Sequence, residues 1–369
     1  MSRQLSDMKV AIVCDWLVGG GAERVVLELH HLFPKAPIFT SHCNKASYEQ
    51  FKGADIRVSY MQKFPFSVLR KFLPVLREKW FERLDLREYD LVISSSGAEA
   101  KGIKNLRHSA LHINYCHSPT HYYWVRYYEY VQQPGFGIFN PIARVGLKLL
   151  VESRQRWDYR AAQRPKFMIA NSTCVKDRIE QIYNRDSTVV HPPVDTKRFA
   201  GKSQPERTGF VVAGRQTPYK RIDLAIEACN QANLPLTVVG DGPEHRKLKK
   251  MAGPTITFKT GVSDAQIAKY FQSAQAFIFP NEDDFGITPV EAMAAGTPVI
   301  ALKLGGALDY VVPGLTGEFF LKQTPEALAE TLQNFKSGSY DSAKITAHAA
   351  KFSIENFHKN MNEFLTSCL

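Results

Sequence analysis

Residues 279–299 read F-P-N-E-D-D-F-G-I-T-P-V-E-A-M-A-A-G-T-P-V. The apolar run Ala276 to Phe279 that leads into this stretch predicts a buried strand, and the acids and glycine after it predict a loop. A helix is expected to open near Thr288-Pro289, where proline suits a first turn, and to include Val290 to Ala295. Pro298 to Ala301 reads as the next strand. Strand, loop, helix and strand in this order form the repeating unit of a parallel α/β sheet. The free amides of such a helix start attract a diphosphate. Glu291, about one turn inside, is placed to accept hydrogen bonds from a ribose diol. Helix capping accounts for Asp283 and Asp284 but leaves the rest of the string unexplained.

Upstream the same pattern repeats. Gly209 to Ala213 reads as a strand, Arg221 to Asn230 as a helix, and Leu236 to Gly240 as a strand ending in the turn Asp241-Gly242-Pro243. After the first of these strands comes Gly214-Arg215-Gln216-Thr217-Pro218-Tyr219-Lys220-Arg221. Arginine offers phosphate oxygens a planar fork, and lysine a mobile point charge. A pyrophosphate leaving group gains negative charge as its bond to a sugar breaks, so two fixed cations stabilise that transition state.

Farther toward the start, Lys9 to Cys14 reads as a strand and Val18-Gly19-Gly20-Gly21-Ala22-Glu23 as a glycine turn. Arg24 to Phe33 follows as an amphipathic helix. Asp90 to Ser94, Ala110 to Tyr115 and Lys166 to Ala170 are expected strands. Val189-Val190 runs into His191-Pro192-Pro193, which stops regular structure and reads as a hinge. Two strand–helix series on either side of a hinge, in 369 residues, predict two doubly wound domains facing a cleft.

Charge is distributed unevenly between the halves. Residues 1–200 hold 30 Lys+Arg against 19 Asp+Glu, and residues 201–369 hold 17 against 17, so the whole excess of +11 belongs to the first half. A basic half can attract nucleic acid, anionic lipid or a phosphorylated substrate. The segment Lys63 to Arg83 carries six Lys+Arg, two Glu and several aromatics. It is expected either to touch an anionic membrane surface or to form a helix pair over the core. Tyr122 to Tyr130 adds aromatics that either line a cleft or pack. The six cysteines are scattered without C-x-x-C pairing, which predicts reduced thiols. His30-His31 and Cys116-His117 are adjacent pairs with no second pair at chelating spacing, so no metal site is expected. The polar start lacks a secretory signal's apolar run and no stretch is long enough to span a bilayer, which predicts a cytoplasmic protein. The glycine loop lacks G-x-G-x-x-G spacing and the acid expected after a second strand, which argues against a nicotinamide oxidoreductase.

Gly-Arg-x-x-x-x-Lys at 214–220, the D-G-P turn and acid-x7-Glu followed by A-M-A-A-G-T-P-V resemble the retaining glycosyltransferases of family 4. Gly20-Gly21-Ala22-Glu23-Arg24, Tyr115-Cys116-His117-Ser118-Pro119, Ala170-Asn171-Ser172 and Pro192-Pro193-Val194-Asp195 extend the resemblance over nearly the whole chain. It is strongest to bacterial O-antigen and exopolysaccharide mannosyltransferases. The resemblance implies a GT-B fold. An acceptor-binding Rossmann-like domain would occupy residues 1–195 and a nucleotide-sugar-binding one 196–345. A helical segment, 346–369, would pack back on the first domain.

By the same resemblance, Arg215 and Lys220 would contact the donor diphosphate and Glu291 the ribose. Amides of Phe285, Gly286, Ile287 and Thr288 would cradle phosphates and sugar. Gly21 would approach the diphosphate, His117 would sit beside the reacting sugar, and Glu23 would face the acceptor. Asp283 stands where the family usually has glutamate, one methylene longer, with Glu282 adjacent as a substitute. Reaction on one face is implied, with the leaving phosphate assisting acceptor deprotonation and without metal or cofactor. The donor is expected to be GDP-mannose or else a UDP-sugar, and the acceptor a glycan or polyprenyl-diphosphate-linked glycan at the inner face of the membrane. The competing classes are a sugar-nucleotide epimerase and a nucleic-acid-binding module. An epimerase would need acids placed for elimination rather than an acceptor cleft, and a nucleic-acid-binding module gives no reason for Arg215, Lys220 and Glu291 together.

Overall fold

A computed structural model describes residues 5–69, 73–132, 134, 137–200 and 206–369. The chain divides into two compact units, Met1–His191 with His358–Leu369, and Pro192–Phe357. Val194 belongs to the second unit, where its amide donates to the Phe352 carbonyl at 2.9 Å. The segment expected over 346–369 is divided between the units. Its last helix, Ile354–Ser367, begins in the second and ends in the first.

Among the described residues the first unit holds a seven-stranded sheet. Its strands are β1 (Val10–Cys14), β2 (Ile38–Thr40), β3 (Ile56–Val58), β4 (Leu91–Ser96), β5 (Leu111–Cys116), β6 (Phe167–Ala170) and β7 (Thr188–Val189). The order is β3-β2-β1-β4-β5-β6-β7, with every pair parallel. The second unit holds six parallel strands: β8 (Phe210–Ala213), β9 (Leu236–Val239), β10 (Ile256–Lys259), β11 (Ala276–Phe279), β12 (Val299–Leu302) and β13 (Gly317–Phe320). Their order is β10-β9-β8-β11-β12-β13. Both units are therefore doubly wound, as the two strand–helix series predict.

Strands β1, β8, β11 and β12 are apolar at every position because both faces of the sheet are covered, whereas β4 and β5 also bury Ser94, Ser95, Ser96, His112 and Asn114. In β8, Phe210 and Val212 enter the layer containing Ile222, Leu224 and Ile226. Val211, between them, enters the opposite layer with Phe277, Phe279 and Val290. Burying each such side chain contributes roughly 1.5–3 kcal/mol. Each sheet reverses its winding once, between β1 and β4 and between β8 and β11. Loops diverge at the carboxyl ends of these strand pairs and leave room for a ligand.

The Lys63–Arg83 segment contains two helices, Phe66–Leu69 and Pro74–Arg83, with residues 70–72 outside the described set. Arg77 is buried and pairs with Glu99 at 2.7 Å. Its guanidinium also lies over the Trp16 ring. Glu78 is buried against Arg154, and Phe81 is in the core. Of the two expectations for this segment, the second helix fits the one over the core, because part of its charge faces inward. Among the described residues no helix is long and apolar enough to cross a membrane.

Candidate active site

At the winding reversal of the second sheet, the loop after β8 meets the loop after β11. Lys220 ends a short 3-10 turn, Pro218–Lys220, and its ammonium bonds Asp283 Oδ2 at 2.5 Å. Both side chains are about a quarter exposed. The turn is set by Arg221, which adopts φ 49° in the left-handed region, a conformation that costs a non-glycine residue on the order of 1 kcal/mol. Arg221 donates to Gln323 Oε1 at 3.2 Å, and Gln323 Nε2 donates to the Pro280 carbonyl at 3.0 Å, so one glutamine links both loops. Arg215 lies on the same loop and is exposed.

The β8 loop is fixed from its other side by Gln216, which is fully buried. Its Nε2 donates to the Gly240 carbonyl at 2.7 Å, and its Oε1 is 2.8 Å from His245 Nδ1. A Cβ at Gly242 would lie 2.5 Å from the Gln216 carbonyl oxygen, which explains the glycine of the D-G-P turn.

The acidic loop has its own support. Phe285 turns its ring into the core against Tyr310 and Phe352, leaving only its backbone to the loop. Gly286 has φ 87°, and a Cβ there would meet Phe279 and Tyr310 at 2.8 Å. From Gly286 the helix Ile287–Ala294 begins, with Thr288 partly exposed and Ile287 packed on the core. Glu291 is its fifth residue and is 6% exposed. Gly305-Gly306, after β12, closes over this loop: the Gly306 amide donates to the Asp283 carbonyl at 2.9 Å. A Cβ at Gly306 would lie 2.3 Å from Phe285 Cα. Glu282 is partly exposed beside Asp283, and a Cβ at Gly305 would lie 3.0 Å from its Cγ.

In the first unit the carboxyl edge is organised by Asp15, just after β1. Its carboxylate accepts the amides of Gly97, Ala98 and Ala100 at 2.8, 3.0 and 2.7 Å, which ties the β1 and β4 loops together. Burial raises its pKa to about 6. His117 follows β5, half-buried, with Nε2 2.8 Å from Ser95 Oγ and its carbonyl accepting Asn171 Nδ2 at 2.9 Å. Gly21 is the first residue of the helix Gly21–Leu32 and is exposed. Glu23 is 4% exposed. Its carboxylate accepts the Gly19 amide and, at 2.8 Å, the Ser47 hydroxyl, so it holds the glycine turn in shape. Tyr122 donates to Glu99 and Trp124 to Asp158, both at 2.8 Å, while Tyr128 is exposed. The aromatic segment thus packs at its start and is open farther on.

The structure joins Lys220 directly to Asp283 and places Arg215 on the loop that carries Lys220. Glu291 lies one turn along the helix that starts at the acidic loop. The supporting residues Asp15, Gln216, Gln323 and Gly305-Gly306 escape sequence reading. Gln216 occupies a variable position of a recognised motif. The glycine pair after an apolar strand is the one visible signal among them. The buried thiols of Cys14, Cys43 and Cys229 are pushed above the usual cysteine range by desolvation, as inert core groups are.

Residues 19–198 match the model of Glycosyltransferase Family 4, and residues 193–352 match that of Glycosyl transferases group 1. A D-inositol 3-phosphate glycosyltransferase of Streptomyces avermitilis is 30% identical over 219 residues, covering 50% of this chain and 47% of that protein. A GDP-mannose-dependent alpha-mannosyltransferase of Mycolicibacterium smegmatis is 38% identical over 110 residues, 30% of this chain and 28% of that one. The chain spans about half the length of the first curated relatives it matches. In fold it is similar to Anabaena Alr3699/HepE, crystallised with UDP, at TM-score 0.71 and 18% identity over 98% of this chain and 100% of that one. The sucrose-phosphate synthase of Thermosynechococcus elongatus aligns at TM-score 0.69 and 18% identity over 97% and 98%. Two family models that together tile residues 19–352, on two doubly wound units, place this chain among the GT-B glycosyltransferases of family 4.

Proposed function

We propose that this chain transfers a hexose from a nucleotide sugar, mannose from GDP-mannose first among candidates, to a glycan or lipid-linked glycan in surface polysaccharide synthesis. The observation that carries this reading is the Lys220–Asp283 ion pair at the winding reversal of the second sheet. Without donor, the ammonium is held by a carboxylate. With donor, the diphosphate competes for that ammonium, and Asp283 is released to accept hydroxyls of the sugar. The bond from the anomeric carbon to the diphosphate oxygen then breaks with its electron pair going to phosphate. The acceptor oxygen bonds the same face of that carbon, and its proton passes to the leaving phosphate. Lys220 and Arg215 compensate the charge gained by the phosphate, so no metal is required for this step.

The mannosyltransferase relative favours a GDP-linked donor. The solved structures with UDP and UDP-glucose favour the UDP-sugar alternative. Work at the inner membrane face fits a lipid-linked acceptor. A release assay across GDP-mannose, UDP-glucose and UDP-N-acetylglucosamine, with and without EDTA, tests the reading. GDP release from GDP-mannose that survives EDTA is expected, with the anomeric configuration of the product retained by NMR. Loss with EDTA restored by a divalent ion, or an inverted product, overturns the mechanism.

A further inference from the structure

The helix Asn140–Ala162 is 23 residues long, and the sequence motifs assign it nothing. Its buried side chains, Trp157, Asp158, Ala161 and Ala162, all belong to its last two turns. There Asp158 pairs with Lys101 at 2.6 Å and accepts Thr120, Trp124 and Tyr183 at 2.6–2.8 Å. That end is pinned to the first unit. The other end carries Ile142, Val145 and Leu149, preceded in the adjoining turn by Ile138. These four are 72%, 58%, 77% and 88% exposed.

Within the helix, the spacing of three and four residues puts Ile142, Val145 and Leu149 on one face, and Ile138 precedes them in the 3-10 turn Gly137–Phe139. Continued along the helix, that face carries Arg156 and Arg160, both exposed, with the exposed Glu152 at its edge and Lys148 on its flank. One helix face thus changes from aliphatic to basic. Leu149 and Arg156 are seven residues apart, about 10 Å along the axis. With the aliphatic end of the helix tilted down into the headgroup–acyl boundary, the arginines farther along the axis would stand toward the headgroups.

We infer that the amino-terminal half of this helix docks on an anionic phospholipid bilayer. Its aliphatic side chains would lie at the acyl boundary, with Arg156, Arg160 and Lys148 among the headgroups. Charge decides the occupant: a second copy seated symmetrically would bring the same basic rim against itself, which is repulsive. The inference deepens the reading of a lipid-linked acceptor and rests on it for its purpose. Vesicle binding without donor is a separate measurement, so either can fail while the other stands.

The test is co-sedimentation with phosphatidylcholine vesicles, with and without phosphatidylglycerol. It compares the intact protein, Ile142→Glu/Leu149→Glu and Arg156→Gln/Arg160→Gln. The intact protein is expected to prefer anionic vesicles and to release them at high salt. The arginine pair variant should bind about 25-fold more weakly, roughly fivefold for each cation, and the glutamate pair variant should lose binding at an unchanged melting temperature. Undiminished binding by both variants, no preference for anionic vesicles, or a wild-type dimer that the glutamate variant dissociates, would each overturn the inference. If the glutamate variant misfolds, the arginine variant decides alone.

Discussion

Lys220→Ala separates a stabilising role from a chemical one. Both members of the Lys220–Asp283 pair are about a quarter exposed. Partly solvated pairs contribute up to about 1 kcal/mol, which is about 2–4 °C in melting temperature for a unit of this size. Removing one preorganised donor from the site where negative charge develops reduces turnover about 10²–10³-fold. The variant is therefore expected to fold and melt almost as the wild type while its turnover collapses. Calorimetry gives the first quantity, and continuous release of nucleoside diphosphate gives the second. Turnover within threefold of wild type would refute the assignment. So would a melting temperature more than 10 °C lower in parallel with the activity, since Lys220 would then be structural. Lys220→Arg should recover part of the turnover, because it restores the charge with different geometry.

Asp283→Asn releases the Lys220 ammonium, so titration calorimetry should show tighter binding of the nucleoside diphosphate alone together with slower transfer. Unchanged affinity would mean that the ion pair does not compete with donor. Glu291→Gln should raise KM for the donor more than it lowers kcat, as a ribose contact unaltered during reaction requires; an opposite split removes that role. Gly306→Ala puts a Cβ 2.3 Å from Phe285 Cα and must displace the acidic loop. It should cost about 1–3 kcal/mol in denaturant unfolding and weaken donor binding. A neutral result would show that the two loops are not held against each other. Burial raises the Glu78 pKa from 4.5 to about 7. A group raised in the fold contributes stability that is full below its unfolded pKa and lost as pH rises to the folded one, here about 3 kcal/mol between pH 4.5 and 7. Asp15, raised to about 6, adds a slope of the same sign. Urea titrations of Glu78→Gln at pH 5 and 8 should show a flatter profile, and an unaltered slope would contradict the burial.

The central strands were legible because a parallel strand covered on both faces is dominated by apolar residues, as Val10–Cys14, Ala276–Phe279 and the Leu91–Ile93 start of β4 are. The acidic string and the Gly-Arg-x-x-x-x-Lys loop were legible because each follows such a strand directly. Ile38–Thr40, Ile56–Val58, Ile256–Lys259 and Gly317–Phe320 were not read from the sequence. They are short, and the outer three are partly exposed, so they lack a continuous apolar run. Helix Asn140–Ala162 escaped notice for a related reason: its aliphatic face is turned outward, so its pattern does not report the core. Side-chain pairing across distant segments is outside what local pattern conveys. Lys220 and Asp283 are 63 positions apart, and the winding of the sheet brings their loops to one edge. Arg77 reads as a surface cation until Glu99, Trp16 and Tyr122 are placed around it. The sequence by itself determined the two α/β units and the residue types of the site, since burial and loop chemistry are written in adjacent residues. Which charges neutralise each other, and which apolar face remains uncovered, was decided only by tertiary structure, because both depend on what the fold brings near.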